Sequence, residues 1–234
     1  MSSCSDCMDL NFIIHYIKEN CKGVPKGVIF DCDGVLIDSV DANMAFYNLI
    51  RKKLGLPELN PEQREYCQMS TAAQALEYIT PNALKSQMHE VVREVSYARD
   101  IEPMIQASEN FVPFLKSIAG KFLLGIHTNR TGPLDYMLNR LGMGGYFDPI
   151  MTVRYCEPKP SPDGAQKILA QWKIKPHEAL FIGDSIMDMQ AARGADIPFL
   201  SYRNEKIMED GTCCDFALLE KALLFLYHEN NTQD

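Results

Sequence analysis

Two aspartates separated by a single residue are the part of this sequence that most clearly predicts chemistry. Asp31 and Asp33 follow the apolar run 28–30, which is typical of a short buried strand. Alternate side chains of an extended chain point to the same side, and Gly34 allows the chain to turn away sharply afterwards. Two carboxylates held about 4 Å apart repel by ~4 kcal/mol at an effective dielectric of about 20. Such a pair needs a cation or a shared proton, so it predicts a metal site with one acid free for chemistry.

Three further polar groups occur later in the chain. They are Thr128 with Asn129, Lys159 between Pro158 and Pro160, and Asp184 with Asp188. The first and last follow the apolar runs 122–126 and 179–182, which predict two more strands. Because open α/β sheets bind ligands at the carboxyl ends of their strands, we expect all these groups to meet at one edge.

In this order, the groups resemble the motifs of the haloacid dehalogenase superfamily, in its phosphoglycolate phosphatase-like and beta-phosphoglucomutase-like branch. The resemblance covers residues 27–234 and leaves out roughly the first two dozen. It implies an α/β fold, in which a Rossmann-like, doubly wound parallel sheet forms the core. It also implies a small, all-helical C1-type cap, inserted after the first strand and placed over the active site.

The resemblance implies that Asp31 is the nucleophile and that Asp33 is the general acid–base. At an ordinary pKa of about 3.9, Asp31 would be ionised at pH 7 and could attack phosphorus in line, forming an aspartyl-phosphate. Asp33 would first protonate the departing alkoxide and then take a proton from the hydrolytic water. The structural alternative for Asp33 is a turn residue before Gly34.

Four acidic side chains would crowd this site before any phosphate arrives. They are Asp31, Asp33, Asp184 and Asp188. A hard divalent ion with oxygen ligands suits this set better than zinc, which prefers Cys or His, so we expect Mg²⁺. By likeness to the family, Asp31 and Asp184 would bind through their carboxylates and Asp33 through its main-chain carbonyl. Asp188 would act through water or from further out. The structural alternative for Asp184 and Asp188 is capping of the following helix.

The remaining polar residues are candidates for holding the substrate. Thr128 and Asn129 are expected to donate hydrogen bonds to the phosphoryl oxygens, while Lys159 adds positive charge to them and to Asp31. Arg130 follows this pair directly and is a further candidate for substrate binding. Additional candidate selectors, for which surface solvation is the alternative, are Arg64, Gln68, Arg93 and Arg99.

The bulk composition excludes several classes of function. The chain has 234 residues, of which 46% are hydrophobic and 23% charged, as in ordinary globular proteins. A net charge of −8 argues against nucleic-acid binding, because phosphate backbones select basic faces. No apolar run approaches the ~20 residues of a membrane span, and the N-terminus lacks a basic leader. Taken with these exclusions, the resemblance implies a cytoplasmic enzyme that acts on a small phosphorylated metabolite, as a monomer or homodimer.

Eight cysteines suggest a disulfide or zinc site. Cys4, Cys7 and Cys21 could supply three zinc ligands, but no fourth ligand has a matching spacing. Reduced thiols of a cytosolic protein are the simpler interpretation.

The pattern of apolar residues divides the chain into three parts. Residues 1–24 form an N-terminal helical extension, 25–39 with 108–234 the α/β core, and 40–107 the helical cap, in which we expect no strand. Beyond residue 108, helices and strands alternate, which implies a parallel sheet covered on both faces. One helical stretch is predicted after Ser39, with its end near Leu54–Gly55, and another begins at Asn60–Pro61. The other predicted helices cover 9–20, 71–79, 81–100, 110–119, 133–141, 162–172, 187–193 and 216–227. The predicted strands cover 28–30, 121–127, 150–153, 180–183 and 197–201.

Two other functions would use the same motifs. A phosphomutase related to beta-phosphoglucomutase would return the phosphoryl group to a sugar, but the loop 66–70 lacks the glycine expected in that group. A non-catalytic binding module would keep the fold and lose the chemistry, whereas Asp31, Asp33 and Lys159 are all present. A dehalogenase would lack an acid at the position of Asp33. A magnesium-dependent phosphatase is therefore the favoured hypothesis.

Overall fold

The computed structural model describes residues 9–70, 72–132, 134–204, 207 and 212–232. These residues form two compact units. The larger unit contains the described residues up to Ile37 and from Ala107 onward, and the smaller unit runs from Asp38 to Gln106. Cys4 and Cys7 lie outside the described residues.

A parallel sheet of six strands forms the centre of the larger unit. The described chain has two further strands outside this sheet. In chain order, all of these strands are β1 (Gly27–Phe30), β2 (Ile37–Asp38), β3 (Gln106–Ala107), β4 (Leu123–His127), β5 (Ile150–Met151), β6 (Ala179–Gly183), β7 (Phe199–Tyr202) and β8 (Thr212–Cys213). The sheet has the order β5-β4-β1-β6-β7-β8, while β2 and β3 pair with each other separately. The predicted Rossmann-like parallel sheet is thereby confirmed.

Helices cover both faces of this sheet. The α-helices of the described chain are α1 (Leu10–Asn20), α2 (Val40–Lys53), α3 (Pro61–Met69), α4 (Ala72–Ile79), α5 (Lys85–Glu94), α6 (Phe111–Ile118), α7 (Asp135–Arg140), α8 (Asp163–Trp172), α9 (Ile186–Gly194) and α10 (Phe216–Asn231). On one face Ile29 packs in a cluster with Ile168 of α8. On the other, the ring of Phe30 lies 5.6 Å from that of Phe111 in α6, which in turn lies 4.9 Å from Phe216 in α10. Neighbouring residues of β1 thus point to opposite helix layers, as strand geometry requires. None of these described helices is long and apolar enough to cross a membrane.

The smaller unit has a hydrophobic core of its own, made by α2 to α5. Its fully or nearly buried members include Met44, Tyr47, Ile50, Ala75, Ile79, Met88 and Val91. Asn60 begins α3: its Oδ1 accepts from the Gln63 N–H at 2.8 Å, and Gln63 Oε1 accepts from the Asn60 N–H at 3.1 Å. This reciprocal cap satisfies two backbone donors that the first helical turn leaves free.

The prediction of one helix over 81–100 is wrong, because α5 covers only its middle. The chain becomes extended at Val95 and then makes a π-type turn at Tyr97–Ile101. Here Asp100 Oδ2 accepts a hydrogen bond from the Ser96 N–H at 3.1 Å. A side chain that bonds the local backbone in this way competes with the helical pattern.

Three short strands were not expected from the sequence, and the first of them is Ile37–Asp38. The prediction of no strand between 39 and 108 is wrong at Gln106–Ala107, and the strand Thr212–Cys213 was missed. Elements of two residues are too short to show any periodicity, so only their pairing partners identify them. The helix predicted from residue 162 begins at Asp163, because Pro162 is its N-cap. Thr71 and Pro133, the predicted first residues of two helices, lie outside the described residues.

The N-terminal helix α1 packs within the larger unit. Ile13 and Ile17 are completely buried on one side of this helix. The Tyr16 hydroxyl donates to the main-chain oxygen of Phe199 in β7 at 2.5 Å, and Lys18 forms a salt bridge with Glu229 of α10. The predicted extension is therefore part of the larger unit's hydrophobic packing.

Most of the described cysteines are reduced, as expected. Free thiols are found at Cys21, Cys32, Cys67, Cys156 and Cys213. Cys214 is disulfide-bonded, so the prediction of reduced thiols is wrong at this position. A disulfide depends on two cysteines meeting at a Cα separation of roughly 4.4–6.8 Å, which spacing along the chain does not reveal.

Replacing Ile17 by alanine is expected to lower the free energy of unfolding by about 2–5 kcal/mol, since it removes a fully buried side chain. His15→Ala, at an exposed position of the same helix, should change it by less than about 0.5 kcal/mol. Urea unfolding followed by circular dichroism measures both values. Equal, small effects would show that α1 does not contribute to the folded core.

Candidate active site

Parallel pairing places three of the polar motifs at one edge of the sheet. Strand β1 pairs with β4 and β6 so that Phe30 lies level with Ile126 and Ile182. All three strands end at this level or one residue beyond it. The functional candidates found there are Asp31, Thr128 and Asp184.

Three carboxylates form a compact acidic cluster at this edge. Oxygen atoms of Asp31, Asp184 and Asp188 all lie within 4.8 Å of one another. Gly34 allows this approach: its φ is +78°, and a Cβ at this position would overlap the carboxylate of Asp184. The predicted acidic residues therefore do come together, although the carboxylate of Asp33 is not in this group.

Lys159 is the cation that binds two of these acids. Its Nζ donates to Asp31 Oδ1 and to Asp188 Oδ1, each at 2.5 Å. The lysine side chain is only 4% exposed. Burial by itself would lower the pKa of Lys159, but the charges of Asp31 and Asp188 outweigh this effect and raise it. The lysine consequently remains charged inside the site.

One lysine does not balance the negative charge of the cluster. Burial, followed by the charge of Asp188, raises the pKa of Asp31 well above its usual value despite the opposing effect of Lys159. The same two causes raise the pKa of Asp184 to about 7. The expectation that Asp31 ionises as an ordinary carboxyl is therefore wrong for the cation-free site, because the fold buries it beside other acids.

This excess charge fits a divalent metal ion. A cluster of carboxylate oxygens, with no nitrogen or sulfur atom among the grouped donors, matches the ligands that hard cations prefer. A bound cation would also favour the ionised forms of Asp31 and Asp184. The donor atoms at this edge are thus suited to a hard divalent cation.

Ser185 holds Asp188 at the start of α9. Its hydroxyl and its N–H both donate to Asp188 Oδ2, at 2.5 and 3.0 Å, and Ser185 Oγ accepts from the Asp188 N–H. One oxygen of Asp188 therefore caps the helix while the other binds Lys159. The alternative of helix capping thus holds for Asp188, and its role toward a metal ion stays a prediction. The N-cap itself is Ser185 and not Asp184.

Asp33 is paired with an arginine from the segment that follows β4. Arg130 Nη1 donates to Asp33 Oδ1 at 2.7 Å, and the two side chains are 15% and 43% exposed. The predicted acid–base residue and the predicted substrate-binding arginine are therefore direct neighbours. The guanidinium binds one oxygen of Asp33, and the Asp33 side chain as a whole stays partly exposed.

Thr128 and Asn129 differ in their surroundings. Thr128 is buried, and its Oγ1 accepts from the Arg130 N–H at 3.2 Å. The Asn129 amide bonds the main chain of Lys159 twice: Oδ1 accepts from the Lys159 N–H at 2.7 Å, and Nδ2 donates to the Lys159 carbonyl at 3.1 Å. The predicted contact of Asn129 with a phosphoryl group stays a prediction.

Sequence reasoning missed two residues that support the site. Ser185 could have been found, because Ser-x-x-Asp before a helix is a capping signal. Asn204 had no such signal: its Nδ2 donates to the Asp184 carbonyl at 2.6 Å from 20 positions away.

Of the selectors predicted in the smaller unit, Arg64 and Arg93 are exposed, and Arg99 pairs with Asp100 at 2.7 Å. The side chain of Gln68 lies outside the described residues.

Gly34→Ala is expected to weaken divalent-cation binding, because the added methyl group displaces the carboxylate of Asp184. Gly120→Ala is the matched control, since Gly120 has nearly the same φ of +75° but no neighbouring atom within 4 Å of where its methyl group would lie. Both variants should lose about 1–2 kcal/mol from left-handed strain. Only Gly34→Ala should also lose the rise in melting temperature caused by a divalent cation, and an equal rise in both variants would contradict this geometry.

The metal-free protein should lose stability as the pH rises from about 4 to 7 because of Asp184. Its pKa is about 7 in the fold and about 3.9 in an unfolded chain, so the folded state holds a proton that the unfolded state releases. This contribution is complete below the unfolded pKa and disappears as the pH passes the folded one. Melting temperatures in EDTA should therefore fall less steeply for Asp184→Asn than for the parent. Identical slopes would refute the raised pKa.

Comparisons with known proteins agree with this geometry. The family model "Haloacid dehalogenase-like hydrolase" matches residues 28–201. The phosphoglycolate phosphatase of Aquifex aeolicus is 30% identical over 176 residues, which cover 72% of this chain and 80% of that protein. The phosphoglycolate phosphatase of Nitrosospira multiformis is 28% identical over 185 residues, covering 73% and 79%.

A solved structure extends the likeness to most of the fold. A hydrolase of the HAD superfamily, subfamily IA, variant 1, from Geobacter sulfurreducens PCA has a TM-score of 0.78 and 31% identity. The aligned region covers 86% of this chain and 97% of that one. The predicted superfamily and the predicted class of enzyme, a hydrolase, are both confirmed: the chain belongs to the haloacid dehalogenase-like hydrolase family.

Proposed function

We propose that this protein is a Mg²⁺-dependent phosphatase that hydrolyses a small phosphorylated metabolite through an aspartyl-phosphate on Asp31. The observation that carries this proposal is the buried contact of Lys159 with both Asp31 and Asp188. This contact supports the proposal because the carboxylate that would act as nucleophile lies beside a buried positive charge, in a cluster of further acids suited to a divalent cation.

The proposed metal ligands are the carboxylates of Asp31 and Asp184 and the main-chain carbonyl of Asp33. Asp188 would act through a water molecule or through its contact with Lys159. When bound, Mg²⁺ offsets the negative charge of the acids and of the phosphoryl oxygens, so that Asp31 can approach phosphorus as a carboxylate. The raised pKa of Asp31 without a cation gives the physical reason for this requirement.

In the first step, Asp31 attacks phosphorus in line and the bond from phosphorus to the leaving oxygen breaks. Asp33 donates a proton to that oxygen, which leaves as an alcohol. Lys159 and the hydroxyl of Thr128 stabilise charge on the phosphoryl oxygens. In the second step, water attacks phosphorus and gives a proton to Asp33, while the bond between phosphorus and the Asp31 oxygen breaks. Phosphate leaves, and Asp31 is again a free carboxylate.

Arg130 gives this site a second cationic group. Its bond to Asp33 orients the acid–base carboxylate, and its position beside Thr128 is also suited to contact the substrate. The names of the relatives support a small phosphomonoester as substrate, and phosphoglycolate is the first compound to assay.

Purified protein should hydrolyse p-nitrophenyl phosphate with Mg²⁺, and Asp31→Asn should lower kcat by at least about a thousandfold because it removes the nucleophile. EDTA should abolish turnover, and Mg²⁺ should restore it. The matched control is Asp196→Asn, because Asp196 is exposed and its φ of +56° suits asparagine. Its kcat should equal that of the parent.

The covalent step is checked by intact mass spectrometry after acid quenching. The parent should gain the mass of one PO₃ group during turnover, and Asp31→Asn should not. Turnover that survives Asp31→Asn would rule out the mechanism. Sugar-phosphate isomerisation without release of phosphate would favour the phosphomutase. The absence of both reactions would favour a binding module.

A further inference from the structure

We infer that Asn129 acts in catalysis as a positioning residue for Lys159, by clamping its main chain, and not as a ligand of the phosphoryl group. This inference rests on the proposed function and adds a residue role to it. The clamp consists of two hydrogen bonds between one side-chain amide and the N–H and C=O of a single residue 30 positions away.

The geometry of the clamp is specific to asparagine. Oδ1 accepts from the Lys159 N–H at 2.7 Å, and Nδ2 donates to the Lys159 carbonyl at 3.1 Å. A reversed amide would place donor against donor and acceptor against acceptor, so the partners themselves fix its orientation. In the clamp, Oδ1 uses one of its two lone pairs and Nδ2 uses one of its two hydrogens.

Lys159 needs such support because regular structure does not hold it. It lies in the irregular segment 152–162, between β5 and α8. Its ammonium group is carried on a flexible chain of four carbons, yet Nζ must reach Asp31 and Asp188 at the same time. Fixing the main chain at Lys159 reduces the freedom of the side chain that starts there.

The clamp also joins the two groups proposed to contact phosphate. Asn129 follows Thr128 directly, and Thr128 is tied to the sheet through its N–H, which donates to Met151 of β5 at 2.9 Å. The main chain of Lys159 is thereby held at the same end of the sheet as the Thr128 hydroxyl. Because a displacement of about 1 Å in catalytic geometry costs on the order of a hundredfold in rate, this link matters for kcat.

A direct phosphoryl contact by the Asn129 side chain would disturb this arrangement. An amide turned fully toward phosphate would leave the partly buried N–H and C=O of Lys159 without these partners, which is unfavourable. The observed bonds therefore assign the side chain to Lys159.

A double-mutant cycle tests this assignment. Asn129→Ala is expected to lower kcat for p-nitrophenyl phosphate by about 10- to 100-fold, with a smaller change in KM. In a Lys159→Ala background, the same substitution should change kcat by less than about threefold, because its target is gone. In a Thr128→Ala background it should keep its full effect. Asn231→Ala, at the exposed end of α10, is the control and should leave kcat unchanged.

A second measurement does not depend on activity or on the stability of Lys159→Ala. Amide hydrogen exchange at Lys159, followed by NMR, should be faster in Asn129→Ala than in the parent. It should remain slow in Asn129→Asp, which keeps the acceptor oxygen but loses the donor, while kcat of that variant falls.

The outcomes separate this inference from the proposed function. Equal fold-losses from Asn129→Ala in the parent and in Lys159→Ala would overturn the inference and indicate a direct phosphoryl contact. Unchanged exchange at Lys159 would overturn it as well. If the parent has no phosphatase activity, the proposed function fails, and the positioning role in catalysis fails with it even where the exchange data confirm the clamp.

Discussion

The organisation of this site depends on one buried ammonium group that two aspartates share. Taking charges out of water is costly unless each finds a partner, and removing one partner leaves the others uncompensated. Lys159 comes from a loop after β5, Asp31 from the end of β1 and Asp188 from the first turn of α9. The interaction therefore forms only when the central strands of the parallel sheet are in register and α9 begins where it does.

Around this contact, the supporting residues act mainly on the backbone or on the ends of side chains. Ser185 fixes one oxygen of Asp188, Asn204 holds the carbonyl of Asp184, and Asn129 holds Lys159. Each bond is modest, at about 0.5–1.5 kcal/mol in a typical case. Their combined effect is to hold several like charges in one place, so that a divalent cation meets a preformed set of oxygen atoms.

The order of strands explains why a few elements are enough to assemble the site. β1 is central and pairs with both β4 and β6, so three motifs distant in the chain end side by side. Helices on both faces bury most residues of the central strands β1, β4 and β6. The smaller unit has a hydrophobic core of its own, and the strands that carry these motifs all belong to the larger unit.

Local signals in the sequence determined the parallel α/β fold, the acidic motif after β1, the family and the approximate limits of most helices. Apolar runs, turn residues and caps are read from neighbours in the chain, and each needs no knowledge of distant contacts. Only the tertiary structure decided that Arg130 pairs with Asp33, that Asn129 bonds Lys159, and that α1 joins the core. It also decided the raised pKa of Asp31 and Asp184, because burial and charge at a point are sums over residues from several elements. Residue types thus indicated which chemistry is available, whereas register and packing decided which atoms serve it.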